Sequence, residues 1–210
     1  MTEIETINGY KNDLFRLIAK KDACSIKMCI DAKKMWNNKD ADDTFTTKNV
    51  KYKKLMNFME DFESDYFDEP KLLSVIPIGL VLNCHNNCIR FCELNNNYTI
   101  QLGYNISSCK CNGCFGMEIH SVIKNKTTNE LFDITKDFNN EEQKWFIPLK
   151  TDVNIYEFTG VNGNDFNYYN TCKKCKCNIT WDTPKNKTNP KDMGYAVKMC
   201  NEYEELCNIY

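Results

Sequence analysis

Of the side chains able to do chemistry in this chain, three belong to one argument: Cys84, His120 and Asp133. Asn83 is suited to cap a helix, and the pattern after it predicts a helix from Cys84 to about Leu94. A thiol in the first turn of a helix meets unpaired backbone N–H groups and the positive end of the helix dipole, and both favour thiolate over thiol. The same N–H groups could supply part of an oxyanion hole. His120 sits in an expected strand, Met117–Lys124, and Asp133 in the next one, Glu130–Thr135. A hairpin loop over Asn125–Thr128 would set the two directly opposite each other, with Cβ atoms ~4.5–5.5 Å apart. A carboxylate there fixes the imidazole tautomer and stabilises the imidazolium. A thiolate beside an imidazole oriented by a carboxylate is the general recipe for covalent thiol catalysis. The only other histidine is His85, for which the sequence suggests no role. A purely structural reading competes, because Cys84, Cys88 and Cys92 recur on one helical face and buried free cysteines pack as small apolar residues.

A second group of residues points to a metal. Cys109-x-Cys111-x2-Cys114 and Cys172-x2-Cys175-x-Cys177 mirror each other in spacing. Each holds a Cys-x2-Cys knuckle, and four thiolates in a tetrahedron are what structural zinc prefers. Cys111, Cys114, Cys172 and Cys175 are the expected ligands, with Cys109 and Cys177 as spares or an alternative pair. Lys110, Lys173, Lys174 and Lys176 would offset the negative charge of such a centre. A catalytic zinc is not expected, since it needs an open position and usually His or carboxylate ligands. The competing reading is surface thiols or redox pairs.

The elements that must position these residues change in character along the chain. Helical spacing places Tyr10, Leu14, Leu17 and Ile18 on one face, and again Met28 to Met35 and Tyr52 to Phe62. Pro70 ends this helical extension of residues 1–70. Leu72–Leu82 is apolar and partly β-branched. Tyr98, Ile100, Leu102, Tyr104 and Ile106 alternate with polar or small residues, as a half-buried strand requires. Strands are also expected over Lys144–Leu149 and Val153–Phe158, and a short helix over Tyr195–Leu206. The expected fold class is α+β, helices first and then a mostly antiparallel sheet.

A helix-borne Cys, then a strand-borne His, then an Asp on the following strand resembles the transglutaminase-like branch of the papain-like cysteine-dependent superfamily. His120-Ser121-Val122-Ile123 followed by Leu131-Phe132-Asp133-Ile134-Thr135 is similar to that family's His and Asp-x-Thr motifs. Cys84-His85-Asn86-Asn87, the Gly103-Tyr104 pair and these later elements also resemble a Cys-His-x-Asn group of uncharacterised proteins. The resemblance covers about residues 72–150. It departs from the family where His85 replaces the aromatic residue after the nucleophile and Val122 replaces the aromatic of the His motif.

The resemblance implies a papain-like core over 71–210 with a zinc-knuckle insertion. It implies attack on an amide or thioester carbonyl of a protein or peptide substrate, by hydrolysis or acyl transfer. Carried over by motif, Cys84 is nucleophile, His120 base and Asp133 the orienting acid. The alternative is a non-catalytic binding module stapled by zinc.

Composition narrows the field further. Apolar residues are 42% and charged residues 27%, enough to bury a core. Lys+Arg is 27 against Asp+Glu 29, a net charge of −2, which speaks against a nucleic-acid binder held by counterion release. No apolar run approaches the ~18–20 residues that would cross a bilayer. The acidic start, Met1-Thr2-Glu3-Ile4-Glu5, lacks the apolar region of a signal peptide. The 13 cysteines cannot all pair, so an intracellular protein with thiols and metal ligands is expected, not a disulfide framework. Arginine occurs only at Arg16 and Arg90 beside abundant lysine and asparagine, a bias expected of an AT-rich genome such as that of a large DNA virus.

Overall fold

The computed structural model describes residues 2–22, 26, 45–60, 67–81, 83–109, 115–136, 141–150 and 168–170. Its elements in chain order are α1 (Glu3–Gly9), α2 (Lys11–Lys21), β1 (Phe45–Thr46), α3 (Tyr52–Met59), β2 (Lys71–Ser74), α4 (Cys84–Leu94), β3 (Tyr98–Cys109), β4 (Phe115–Asn125), β5 (Leu131–Phe132), β6 (Gln143–Pro148) and β7 (Tyr168–Asn170). The strands follow the order β2-β6-β3-β4-β5, with β1 against β3 and β7 against β4. The β1–β3, β3–β6, β4–β5 and β4–β7 pairs are antiparallel. The fold is therefore α+β, with helices beside an antiparallel sheet. Among the described residues no helix is long and apolar enough to cross a membrane. The helical stretch around Met28–Met35, the strand over Val153–Phe158 and the helix over Tyr195–Leu206 lie outside the described residues.

Two compact units interleave along the chain. One takes Met1–Asp43, Leu72–Gln101 and His120–Lys144; the other takes Thr44–Lys71, Leu102–Ile119 and Trp145–Tyr210. Residues 1–70 thus divide between the two, and so do the long strands β3 and β4.

The first unit is built around α4. Thr2 and Glu5 form a reciprocal capping box at the start of α1, satisfying two of the N–H groups a helix start leaves unpaired. The helical pattern through Asn8–Lys20 breaks at Tyr10, which ends α1 and begins α2. Leu14 and Ile18 of α2 meet Cys88 and Phe91 of α4 in a core completed by Ile7, Ile76, Ile78, Tyr98, Ile123, Phe132 and Ile134. Phe91 sits edge-on between Tyr10 and Tyr98, with ring centroids at 5.5 and 5.2 Å, an arrangement the ring quadrupoles favour. At the rim, Arg90 forks onto both Asp22 oxygens, at 2.6 and 3.0 Å, and also reaches Glu93, which Lys21 contacts at 2.8 Å. This bidentate pair ties the end of α2 to α4 and fixes the axis that carries Cys84.

The other unit is more aromatic. Phe58 stacks on Phe115 at 4.8 Å, Tyr52 on Trp145 at 5.6 Å, and Phe67 meets Tyr104 edge-on at 6.0 Å. Thr47 donates to the Ile106 carbonyl at 2.7 Å and accepts from the Trp145 N–H at 3.1 Å, filling a gap in the ladder. Gly103 lies so close to β6 that a Cβ there would come within 2.2 Å of the Ile147 carbonyl oxygen. Only glycine allows that approach.

Candidate active site

Cys84 opens α4, where the sequence placed it. Asn83 occupies the cap position, but its side chain donates back to the Val81 carbonyl at 3.1 Å and makes no cap hydrogen bond. The first-turn amides of α4 are thus left uncapped by Asn83, and the sulfur sits at the positive end of the helix. Cys84 is partly exposed, whereas Cys88, one turn on, is completely buried and donates to the Ser121 carbonyl at 3.3 Å. The apolar-stripe reading of the three cysteines therefore describes Cys88, which belongs to the core, and Cys92, which packs against it.

His120 and Asp133 meet, though not by the expected register. Ile123 pairs with Phe132 and Lys124 with Leu131, so position 120 lies opposite 135 and Asp133 is its diagonal neighbour. The turn slides one residue along the chain for a local reason. Asn125 accepts from the Thr127 and Thr128 N–H groups at 2.8 and 3.1 Å, and Asn129 takes the left-handed conformation at φ 60°. Asparagine tolerates that region better than most residues. A slide of one in the loop moves the partner by two, and a period of two keeps both side chains on the same face. Diagonal neighbours ~7–8 Å apart are within reach of long side chains. His120 Nε2 stands 2.9 Å from Asp133 Oδ2, with His120 6% and Asp133 1% exposed.

Asp133 is held on every side. Its Oδ1 accepts from the Thr135 N–H at 2.9 Å, and Lys144 Nζ lies 3.4 Å from Oδ2. Its backbone bridges Val75 in parallel, accepting from the Ile76 N–H at 2.7 Å and donating to the Ser74 carbonyl at 3.2 Å. Burial alone would push this carboxyl up, but the charges of His120 and Lys144 and the hydrogen bonds from His120 and Thr135 hold it well below the usual carboxylate range.

The electrostatics converge on the sulfur. Burial pushes the Cys84 thiol up, yet the charges of His85 and His120 and hydrogen bonds from both rings overcome this and hold it well below the usual thiol range. Burial likewise disfavours a charged His120, but the carboxylate of Asp133 and the sulfur of Cys84 raise it to about 10. Both shifts favour a thiolate on Cys84 and an imidazolium on His120. His120 thus contacts Asp133 through Nε2 and also hydrogen-bonds the Cys84 sulfur. Cys88 goes the other way: burial and the neighbouring Cys84, Cys92 and Asp133 charges push its thiol well above the usual range. Cys92 is pushed up to about 11, chiefly by burial.

Three residues that sequence reasoning did not assign complete the arrangement. His85 touches the Cys84 sulfur, and its Nδ1 hydrogen-bonds Ser121 Oγ at 2.5 Å. Lys144 was expected only as the start of a strand, and nothing local marks it as a companion of Asp133. Asn87, fully buried, pairs its side-chain amide with both backbone groups of Leu80, donating at 2.7 Å and accepting at 3.0 Å, and donates to Thr135 Oγ1 at 3.2 Å. Gly79 makes room for it, because a Cβ there would sit 2.5 Å from the Asn87 side chain. Asn87 and Thr135 close the two motifs that begin with Cys84 and Asp133, so their hydrogen bond couples the element carrying the sulfur to the one carrying the acid. That spacing was the signal available in the sequence.

The expected zinc ligands Cys111, Cys114, Cys172, Cys175 and Cys177 lie outside the described residues. Cys109 is described: it is completely buried at the end of β3, opposite Phe45. Among the described residues no group of three or more His, Cys, Asp or Glu is arranged to hold a metal ion. Compared with known proteins, the chain matches no family model, no curated protein and no solved structure.

Proposed function

We propose that this chain is a cysteine-dependent hydrolase or acyl-transferase of papain-like, transglutaminase-like architecture, acting on an amide or thioester bond of a protein or peptide. The observation that carries this reading is the line of contact from Asp133 Oδ2 through His120, 2.9 Å away, to the sulfur of Cys84. Cys84 attacks the carbonyl carbon as thiolate, forming a C–S bond while the carbonyl electrons move to oxygen. The first-turn amides of α4 are positioned for the oxyanion to be drawn toward them. When the tetrahedral adduct collapses, the imidazolium of His120 gives its proton to the departing amine or thiolate. His120, now neutral, then takes a proton from the water or amine that cleaves the acyl-enzyme and returns to imidazolium as Cys84 leaves as thiolate. Asp133 keeps the ring in register throughout and offsets its charge.

The test is chemical labelling. Iodoacetamide at pH 6.5 is expected to modify Cys84 ahead of the other thiols, and His120→Ala to slow that labelling at least tenfold. Equal labelling of Cys84 in both proteins sinks the proposal.

A structural zinc belongs to the same reading. The β4–β7 register sets Phe115 opposite Asn170. Cys114, the last of one cluster, directly precedes Phe115, and Cys172, the first of the other, follows Asn170 by two residues, so the pairing supports knuckles that meet at one end of a strand pair. About one equivalent of zinc is expected in the wild-type protein and a loss of it in Cys111→Ser or Cys175→Ser; zinc-free wild-type protein would refute this part alone.

A further inference from the structure

Resting on the reading of Cys84 as nucleophile, we infer that His85 is a second catalytic residue. It donates a hydrogen bond to the same sulfur that His120 contacts, and Ser121 orients it for that task. Neighbours in sequence on a helix ordinarily diverge and do not share a target. Here the ring of His85 is drawn onto β4, where Nδ1 meets Ser121 Oγ at 2.5 Å. Cys88, one turn on, donates to the carbonyl of the same Ser121 at 3.3 Å, a further tie between α4 and β4. With Nδ1 engaged by Ser121, Nε2 is the His85 nitrogen left to face Cys84. The sulfur therefore contacts two imidazoles, each held by a second partner: His120 by Asp133 and His85 by Ser121.

Two anchors of different strength divide the work. Asp133 is a buried carboxylate, so His120 carries the proton that the reaction moves. Ser121 is a neutral hydroxyl, so His85 serves as a fixed donor that favours the thiolate before attack and again as the sulfur leaves the acyl-enzyme. The ionisable groups around the sulfur are His85 and His120 in contact, Cys88 one turn along the helix, and Asp133 with Lys144 behind His120. Among these, His85 and His120 are the groups that favour the thiolate directly.

The pH dependence of iodoacetamide labelling at Cys84, read by mass spectrometry of the full chain, tests the assignment without any substrate. In the wild type the midpoint is expected well below that of an ordinary thiol. His85→Ala should raise it by about one unit or more, the range of a hydrogen bond to a charged group. His85→Gln, whose amide N–H can occupy the place of Nε2, should keep most of the lowering, and His85→Asn, which reaches only Ser121, should not. Ser121→Ala should raise the midpoint by a smaller amount. His120→Ala should leave the midpoint still below the ordinary thiol value, and the double variant with His85→Ala should restore that value. A His85→Ala midpoint equal to the wild type overturns the inference, even if absolute rates fall, because a mere prop alters rate without moving the midpoint. So does a His120→Ala midpoint that is already ordinary. A wild-type midpoint near the ordinary value would instead sink the nucleophile reading itself, and the inference with it.

Discussion

Cys84 and Cys88 stand one turn apart on α4, yet their surroundings push them in opposite directions. Cys88 is buried and Cys84 half-buried, and burial alone would raise both thiols. At Cys84 two imidazoles reverse the effect; at Cys88 the thiol meets a backbone carbonyl, and the nearby Cys84, Cys92 and Asp133 raise it further. The proposed function makes the first turn of the helix the reactive position and the second a structural one. Chemistry here depends less on where the helix buries its sulfur than on which strand side chains reach the helix end. His120, backed by Asp133, and Ser121 reach the residues of the first turn, while Ile123, Phe132 and Ile134 share the core with Cys88.

The comparison breaks most severely at its electrostatic base. Asp133→Ala removes a buried carboxylate from between His120 and Lys144, and breaking such a buried pair from one side costs about 3–5 kcal/mol. Urea unfolding should read this loss. Its pH dependence has a definite sign. His120 binds its proton more tightly in the folded state, so its share of the stabilisation is complete below its ordinary value of 6.5 and fades as pH rises through about 10. Asp133 is lowered, so its share is present above its ordinary value of 3.8 and fades as pH falls below it. The destabilisation should therefore be greatest between those limits and shrink toward pH 10.

Next in size is the contrast in reactivity. At pH 7, labelling of Cys84 should outpace that of Cys88 by about 100-fold or more, since each unit between the two thiols counts tenfold in thiolate. Peptide mapping after a brief alkylation measures the ratio directly, and a ratio near one would erase the distinction between the two turns.

Gly79→Ala sharpens the account from the scaffold side. The added methyl meets the amide of Asn87, which cannot withdraw without losing its bonds to Leu80 and Thr135. A loss of about 1–3 kcal/mol is expected, as for overpacking generally. Cys84 labelling should slow as well, because the motif that carries Cys84 and the one that carries Asp133 lose a common link. Cys88→Ala is the mildest case, costing ~1 kcal/mol for one small buried side chain while leaving the Cys84 labelling rate nearly unchanged.

Much of this was legible before any coordinates. The helix Cys84–Leu94 follows from its spacing and from Asn83, although Asn83 marks the boundary without capping it. The alternation from Tyr98 to Ile106 reads directly as β3. The meeting of His120 and Asp133 was legible only through parity. The run Asn125-Lys126-Thr127-Thr128-Asn129 contains turn formers at almost every place, so the loop could close at neighbouring positions, and the one it adopts depends on Asn125 capping the turn and Asn129 accepting positive φ. A slide of one position preserved the face and hence the pair. What sequence spacing could not carry were the contacts made between distant segments: Lys144 beside Asp133, Val75 bridging Asp133, and His85 turned onto Ser121. Each depends on how strands or a helix end dock, which no local pattern records.

The central claim is that Cys84 and His120 rest as a thiolate–imidazolium pair braced by Asp133, and nitrogen-15 NMR of the His120 ring tests it most directly. At pH 8 both ring nitrogens should be protonated, with the ring titrating near 10, and Cys84→Ala should lower that midpoint because the ring loses its anionic partner. A wild-type His120 that is neutral at pH 8, or one whose titration ignores the removal of the Cys84 sulfur, would contradict the account.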